Sequence, residues 1–189
     1  MKNIIIAGTC RAGKTLLTQA IKRREPKYNV LSGDLIRKAL YDTFTKDYVA
    51  GKHNYLWDFF VNLSNLYGGV KAKFPQYDEQ PFIFESTDFV HEAILQAYNE
   101  NTIIIFIGKP NLTGQQWASE IRESEKKFKS WTARHSDEEL LEKCNQWVKQ
   151  AQEDVEFCKK HGFLYCDTSF NQMDTLEKFA DELTKTLIN

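Results

Sequence analysis

The sequence predicts an α/β domain built around a buried parallel sheet. Short apolar runs alternate with stretches of helical period, the pattern of successive βαβ units. The apolar runs are nearly continuous instead of alternating, as in strands covered on both faces. No repeat or low-complexity segment interrupts the alternation, and 189 residues suit one domain (1–189) with a substantial core.

Five strands follow in order: residues 3–7 (NIIIA), 28–32 (YNVLS), 81–85 (PFIFE), 102–108 (TIIIFIG) and 163–167 (FLYCD). The first helix begins after Gly13, places Leu16, Leu17, Ala20 and Ile21 on one face, and stops before Pro26. A second starts near Asp34 with Leu35, Ile36, Ala39 and Leu40 inward. Intervals 41–80 and 109–161 are longer than a plain crossover needs, which marks them as functional insertions. The first is rich in aromatics and predicts a helix over 54–67, whose Trp57, Phe60, Leu63 and Tyr67 suit a core or a homodimer seam as well as a stacking platform. The second opens a long helix at the capping box Ser136 to Glu139, runs through Leu140, Cys144, Trp147, Ala151, Val155 and Cys158, and closes at Gly162. A last helix over 174–187 presents Leu176, Phe179, Ala180, Leu183 and Leu187.

Net charge is −1 with 27% charged residues, so no global basic field points to nucleic acid. The apolar run after Lys2 is too short for a signal sequence and no stretch reaches membrane-spanning length, so a cytoplasmic protein without a membrane partner is expected. Cys10, Cys144, Cys158 and Cys166 lack metal-ligand spacing and read as reduced, with Cys144 and Cys158 on one helix face. His53, His91, His135 and His161 likewise read as surface or capping residues.

Between the first strand and first helix, GTCRAGKT matches G-x-x-x-x-G-K-[ST]. Glycines let backbone N–H groups turn toward phosphate oxygens at a helix N-terminus, where the partial positive charge lies. Gly8, Thr9, Cys10, Arg11, Ala12, Gly13, Lys14, Thr15 and Leu16 are the expected nucleotide-binding residues. Lys14 is placed to reach the β and γ phosphates and Thr15 to offer its hydroxyl to Mg²⁺. Arg11 has two readings, a phosphate contact or a solvated side chain. The base-reading N-K-x-D of GTPases is absent, and the chain is short for an oligomeric ATPase, which leaves a kinase as the best fit.

With GTCRAGKT, LSGDLIRKAL and YCDTS in this order, the chain resembles the nucleoside monophosphate kinase-like group of small P-loop kinases. The resemblance implies a three-layer α/β fold with a parallel sheet of order 2-3-1-4-5, an acceptor-binding insertion at 41–80, a lid within 109–161, and ATP and Mg²⁺ as cofactors. It further implies that Asp34 and Arg37 face the acceptor pocket, with Asp34 positioning or deprotonating a hydroxyl; a plain N-cap is the competing role for Asp34. Arg37, one helical turn on, suits an acceptor phosphate or carboxylate. Glu85 and Asp88 sit at the carboxyl end of the third strand, where open α/β sheets bind ligands, and would serve Mg²⁺ or the acceptor. Related metabolite kinases carry glycine after that glutamate, where this chain has Ser86. RHSDEELL resembles a lid motif and makes Arg134 the first candidate for the transfer-stabilising arginine, with Arg122, Lys126, Lys127 and Lys129 as alternatives. Such an arginine is worth ~10³ to 10⁵ in rate. Asp167, Thr168 and Ser169 would pass the adenine or form an ordinary turn.

The expectation is thus phosphoryl transfer to a small acceptor: a nucleoside, a nucleotide or a small hydroxyl metabolite. The competing readings are a nucleotide-binding switch with little turnover and a 5′-hydroxyl polynucleotide kinase, the latter opposed by the near-neutral charge.

Overall fold

The computed structural model describes residues 1–36, 38, 81–98 and 100–188. Strands β1 (Asn3–Gly8), β2 (Asn29–Ser32), β3 (Phe82–Glu85), β4 (Thr102–Gly108) and β5 (Leu164–Asp167) pair in parallel in the order β2-β3-β1-β4-β5. That is the expected fold class and order. Central β1 shows why its run is continuous: Ile4 and Ile6 enter one core, Ile5 and Ala7 the other. Edge strand β2 is only partly covered, and its Val30 is exposed.

Helices α1 (Lys14–Arg24), α2 (His91–Ala97), α3 (Gly114–Glu125), α4 (Asp137–His161) and α5 (Gln172–Leu183) flank the sheet, and a single π-type turn at Thr184–Ile188 extends α5. The first core joins Ile4, Ile6, Ile105 and Ile107 to Leu17 of α1, Trp117 and Ile121 of α3, Leu140 and Cys144 of α4, and Leu176 of α5. The second joins Ile5, Phe84, Ile104 and Phe106 to Ile94 of α2 and to Phe157 and Cys158 of α4.

Helix α4 therefore contributes to both layers. Its buried Ala151 lies over Gly108, the last residue of β4. A Cβ on Gly108 would come within 2.8 Å of the Ala151 Cβ and 2.5 Å of the Tyr165 hydroxyl, so the passage over the sheet edge needs glycine there. Cys144 and Cys158 are both buried, as expected of one helix face, yet they serve different cores. Val155 is half-buried while Asp154 and Phe157 are buried, because the inward face changes as the helix passes between layers.

The ends of α4 follow the sequence. Ser136 Oγ accepts from the Glu139 N–H at 3.2 Å, Glu139 Oε2 accepts from the Ser136 N–H at 3.0 Å, and Gly162 closes the helix with φ 71°. A second box, Thr113 with Gln116, opens α3. Two inward expectations are corrected. Leu16 is 38% exposed, since Lys14 and Thr18 take buried positions of α1 beside Leu17 and Ile21. Leu35 is 71% exposed, and its neighbour Ile36 packs on the second core instead. Ala39, Leu40, the 41–80 interval with its aromatic stripe, and the Leu187 side chain lie outside the described residues. Among the described residues no helix is long and apolar enough to cross a membrane.

Candidate active site

The loop between β1 and α1 is held from behind. Thr168 Oγ1 donates to the Ala12 carbonyl at 2.9 Å and the Gly108 carbonyl at 3.2 Å, and Gln172 Nε2 donates to the Ala12 carbonyl at 2.8 Å. Gly8, Arg11 and Gly13 take left-handed backbones, with φ 117°, 61° and 108°. Helix α1 has no acidic residue in its first turn, three basic residues in its last, and no side-chain cap from Gly13. Its N-terminal amides thus face the loop's concavity with the positive end of the helix dipole, a setting for an anion.

Lys14 is buried, and its Nζ donates to the Thr9 carbonyl at 2.6 Å and the Gly8 carbonyl at 3.1 Å. Burial pulls its pKa below the ordinary lysine value, opposed by the Cys10 thiol and by the carboxylates of Glu85, Asp34 and Asp88. The ammonium is therefore held among acidic groups and aimed back onto its own loop.

On one flank of the loop, Glu85 ends β3 and is buried. Its Oε2 accepts from Thr15 Oγ1 at 3.2 Å and its Oε1 from Ser32 Oγ at 3.0 Å. Gly33 follows β2, where a Cβ would sit 2.3 Å from Ser86 Oγ, so glycine brings the chain close enough to present exposed Asp34 to the cleft. Ser86 is buried, accepts from the Asp88 N–H at 3.1 Å and fixes the turn bearing Asp88. Asp34, Glu85, Asp88, Lys14 and Thr15 line one cleft of about 820 Å³. Arg37 lies outside the described residues. Thr15 and Glu85 supply hard oxygen donors, which fits Mg²⁺; such an ion takes only one or two carboxylates besides substrate phosphates and water. Among the described residues no cluster of three His, Cys, Asp or Glu forms a dedicated metal cage.

The other flank is built from β4 and the 109–161 interval. Lys109 follows β4; Trp117, Glu120, Ile121 and Ser124 line the cleft from α3 at three- and four-residue spacing; Gln150 reaches it from α4. A 3₁₀ turn at Trp131–Arg134 adds Trp131 and Arg134, the guanidinium lying 5.9 Å from the indole centroid. Arg11 is not simply solvated, for its Nη2 donates to Ser124 Oγ at 2.7 Å and joins the loop to α3.

Four expected residues, Arg122, Thr168, Asp167 and Ser169, are placed elsewhere. Arg122 donates from Nε to Asp137 Oδ1, from Nη1 to Glu125 Oε2 and from Nη2 to the His135 carbonyl, each at 2.8 Å, so its guanidinium ties α3 to the start of α4 and does not line the cleft. Thr168 is fully buried behind the loop between β1 and α1, where it supports that loop's backbone. Asp167 and Ser169 close on each other through the Ser169 N–H at 2.9 Å and hydroxyl at 2.6 Å, an ordinary turn. His91 is more than a surface residue: its Nε2 lies 2.8 Å from Asp154 Oδ1 and its ring stacks on Phe157 with centroids 3.9 Å apart. Burial raises the Asp154 pKa, opposed by the hydrogen bond from His91.

Sequence reasoning missed Lys109, Trp117, Glu120, Trp131, Gln150 and Gln172 as cleft residues. The Thr113–Gln116 capping box was a usable signal for α3 and its lining face. Lys109 carried only the general rule that ligands bind beyond strand carboxyl ends.

No protein-family model matches the chain, and no curated protein matches it in sequence. Solved structures do match. The shikimate kinase from Acinetobacter baumannii in complex with shikimate aligns with a TM-score of 0.55 at 11% identity, over 100% of this chain and 96% of its own. A proposed kinase from Chloroflexus aurantiacus j-10-fl aligns with a TM-score of 0.52 at 16% identity, over 99% of this chain and 96% of its own. At these identities the likeness is one of fold, and the chain shares the three-layer α/β architecture of these proteins.

Proposed function

We propose that the protein is an ATP- and Mg²⁺-dependent phosphotransferase of the nucleoside monophosphate kinase-like kind, acting on a small hydroxyl or phosphate acceptor. The observation that carries this reading is the Thr15–Glu85 contact, which joins the phosphate loop to a carboxylate-lined flank within one cleft. A phosphate-binding loop alone would serve a switch equally well; Asp34 and Asp88 beside it supply groups suited to an acceptor hydroxyl.

In this reading the amides of the loop and of the α1 N-terminus cradle the nucleotide phosphates, and Lys14 leaves its loop carbonyls for the β and γ oxygens. Thr15 and Glu85 would hold Mg²⁺, which would supply charge neutralisation for the transferring phosphoryl group. Asp34 accepts the acceptor's proton as the new O–P bond forms and the bond to ADP breaks. Arg134, steadied by Trp131, faces the equatorial oxygens of the transferring group.

Incubation with ATP, Mg²⁺ and a panel of nucleosides, nucleotides, sugars and hydroxy acids tests the reading through ADP release. Acceptor-dependent ADP is expected, together with a fall of at least ~10² in turnover for Asp34→Asn at unchanged ATP affinity. ATP binding without acceptor-dependent turnover across the panel would instead support the switch.

A further inference from the structure

The wall on the β4 side holds a second buried ammonium to which the proposed reaction gives no role. Lys109 directly follows Gly108 at the carboxyl edge of the sheet, so Lys109 and Glu85 flank the phosphate loop from its two neighbouring strands. The Lys109 side chain is only 4% exposed although it lines the cleft, and its ion-pair partner is Glu120 Oε2 at 2.5 Å. Glu120 itself is 47% exposed.

This pairing is unequal. Withdrawing an ammonium from water is costly unless a strong partner compensates, and a carboxylate that keeps half its contact with water compensates weakly and exchanges readily. Lys14 sits in a comparable way, buried in the same cleft with its donors resting on carbonyls of its own loop. The cleft that Lys109 lines is amphipathic: Trp117 and Trp131 offer rings, Gln150 an amide and Arg134 a further cation. A neutral ligand group would leave Lys109 with Glu120. An oxyanion would pair with the Lys109 ammonium and release half-exposed Glu120 to solvent.

We propose that Lys109 is a second anion-binding group of the cleft, and that Glu120 is an exchangeable partner which yields to a phosphate or carboxylate oxygen of the bound ligand. The inference concerns the same cleft as the phosphotransferase reading and deepens it, since it gives the ligand an oxyanion beyond those held by Lys14. The oxyanion has two sources, the acceptor or the nucleotide's own phosphate chain.

The test uses the full chain and two titrations, read by the fluorescence of the wall tryptophans and by calorimetry. The protein is first titrated with Mg²⁺ and a non-hydrolysable ATP analogue, and then, with that analogue saturating, with inorganic phosphate. If the oxyanion belongs to the acceptor, Lys109→Met weakens phosphate binding at least ~10-fold, and Glu120→Gln, which keeps the side chain's size, tightens it about 3-fold. The same opposite responses in the first titration assign the oxyanion to the nucleotide and equally support the subsite. Should Lys109→Met fail to fold, Glu120→Gln at its half-exposed position still decides, because the gain in affinity is expected from it alone. Unchanged affinities for both probes in a folded Glu120→Gln protein overturn the proposal. Neither titration requires turnover, so absence of phosphoryl transfer would not be mistaken for failure of the subsite.

Discussion

Thr15 Oγ1 donates to Glu85 Oε2 at 3.2 Å, joining residues 70 positions apart in the chain. The contact follows from β1 and β3 being sheet neighbours, with the Thr15 helix rising from the first and Glu85 ending the second. Ser32 engages the other Glu85 oxygen, so the carboxylate is oriented before any ligand arrives. Glu85→Gln should therefore leave metal-free ATP binding nearly unchanged and raise the Mg²⁺ concentration needed for half-maximal turnover at least ~10-fold. A Mg²⁺ titration that superimposes on the parent's would remove Glu85 from the metal site.

In the proposed function Lys14 should make nucleotide binding proton-linked. Burial lowers its pKa in the free protein, and a bound phosphate anion raises it again, so binding takes up a proton in the alkaline range between the two values. Calorimetry of ATP binding in buffers of different ionisation enthalpy should show that uptake and a weakening of affinity as pH rises toward the ordinary lysine value of 10.5. Lys14→Ala should abolish the uptake and weaken binding at least ~10-fold. A buffer-independent enthalpy in the parent protein would count against the loop's role.

The cysteines separate by environment. Burial raises the Cys144 thiol to about 11 and those of Cys158 and Cys166 to about 12, whereas Cys10 is half-buried and lines the cleft. Since the thiolate is the reactive form, native protein at mildly alkaline pH should label rapidly at Cys10 alone, more slowly with ATP bound, and at all four positions once unfolded. Rapid native labelling of a second cysteine would show that the two cores are not closed as described.

His91 and Asp154 join α2, which follows the Asp88 turn, to α4. His91→Ala leaves a buried carboxylate without its imidazole, at a cost of about 3 kcal/mol. The folded-state pKa of Asp154 is raised, so the stability it contributes is present below the unfolded value of 3.8 and is lost as pH rises through the folded one. Urea unfolding should accordingly show a larger deficit for His91→Ala at neutral than at acid pH, and adding Asp154→Leu should recover much of it. A deficit independent of pH would locate its cause in the lost stacking on Phe157.

The strands and the phosphate loop were legible because their signals are local. Ile4 to Ala7 form one unbroken apolar run since both sheet faces are covered, and Gly8, Gly13, Lys14 and Thr15 have fixed spacing. The long helix was legible at both ends through Ser136, Glu139 and Gly162. Its inward residues were only partly so: periodicity assumes a single buried face, and α4 changes layers where Ala151 passes Gly108, which buries Asp154 and Phe157 in place of Val155. Arg134 ranked first and Arg122 stayed an alternative, because whether a guanidinium meets Asp137 and Glu125 or a cleft depends on how α3 and α4 pack. Lys109 stayed hidden for the same reason, its partner Glu120 being defined by tertiary contact.

The central claim, that this cleft moves a phosphoryl group from ATP to a small acceptor, is tested most directly by following the labelled γ-phosphate of ATP. With Mg²⁺ and a mixed panel of small hydroxyl and phosphate acceptors, the label should appear in one acceptor class, and the transfer should vanish with Lys14→Ala and fall at least ~10² with Asp34→Asn. Label that appears only as inorganic phosphate, at a rate unaffected by any acceptor or by Asp34→Asn, would contradict it.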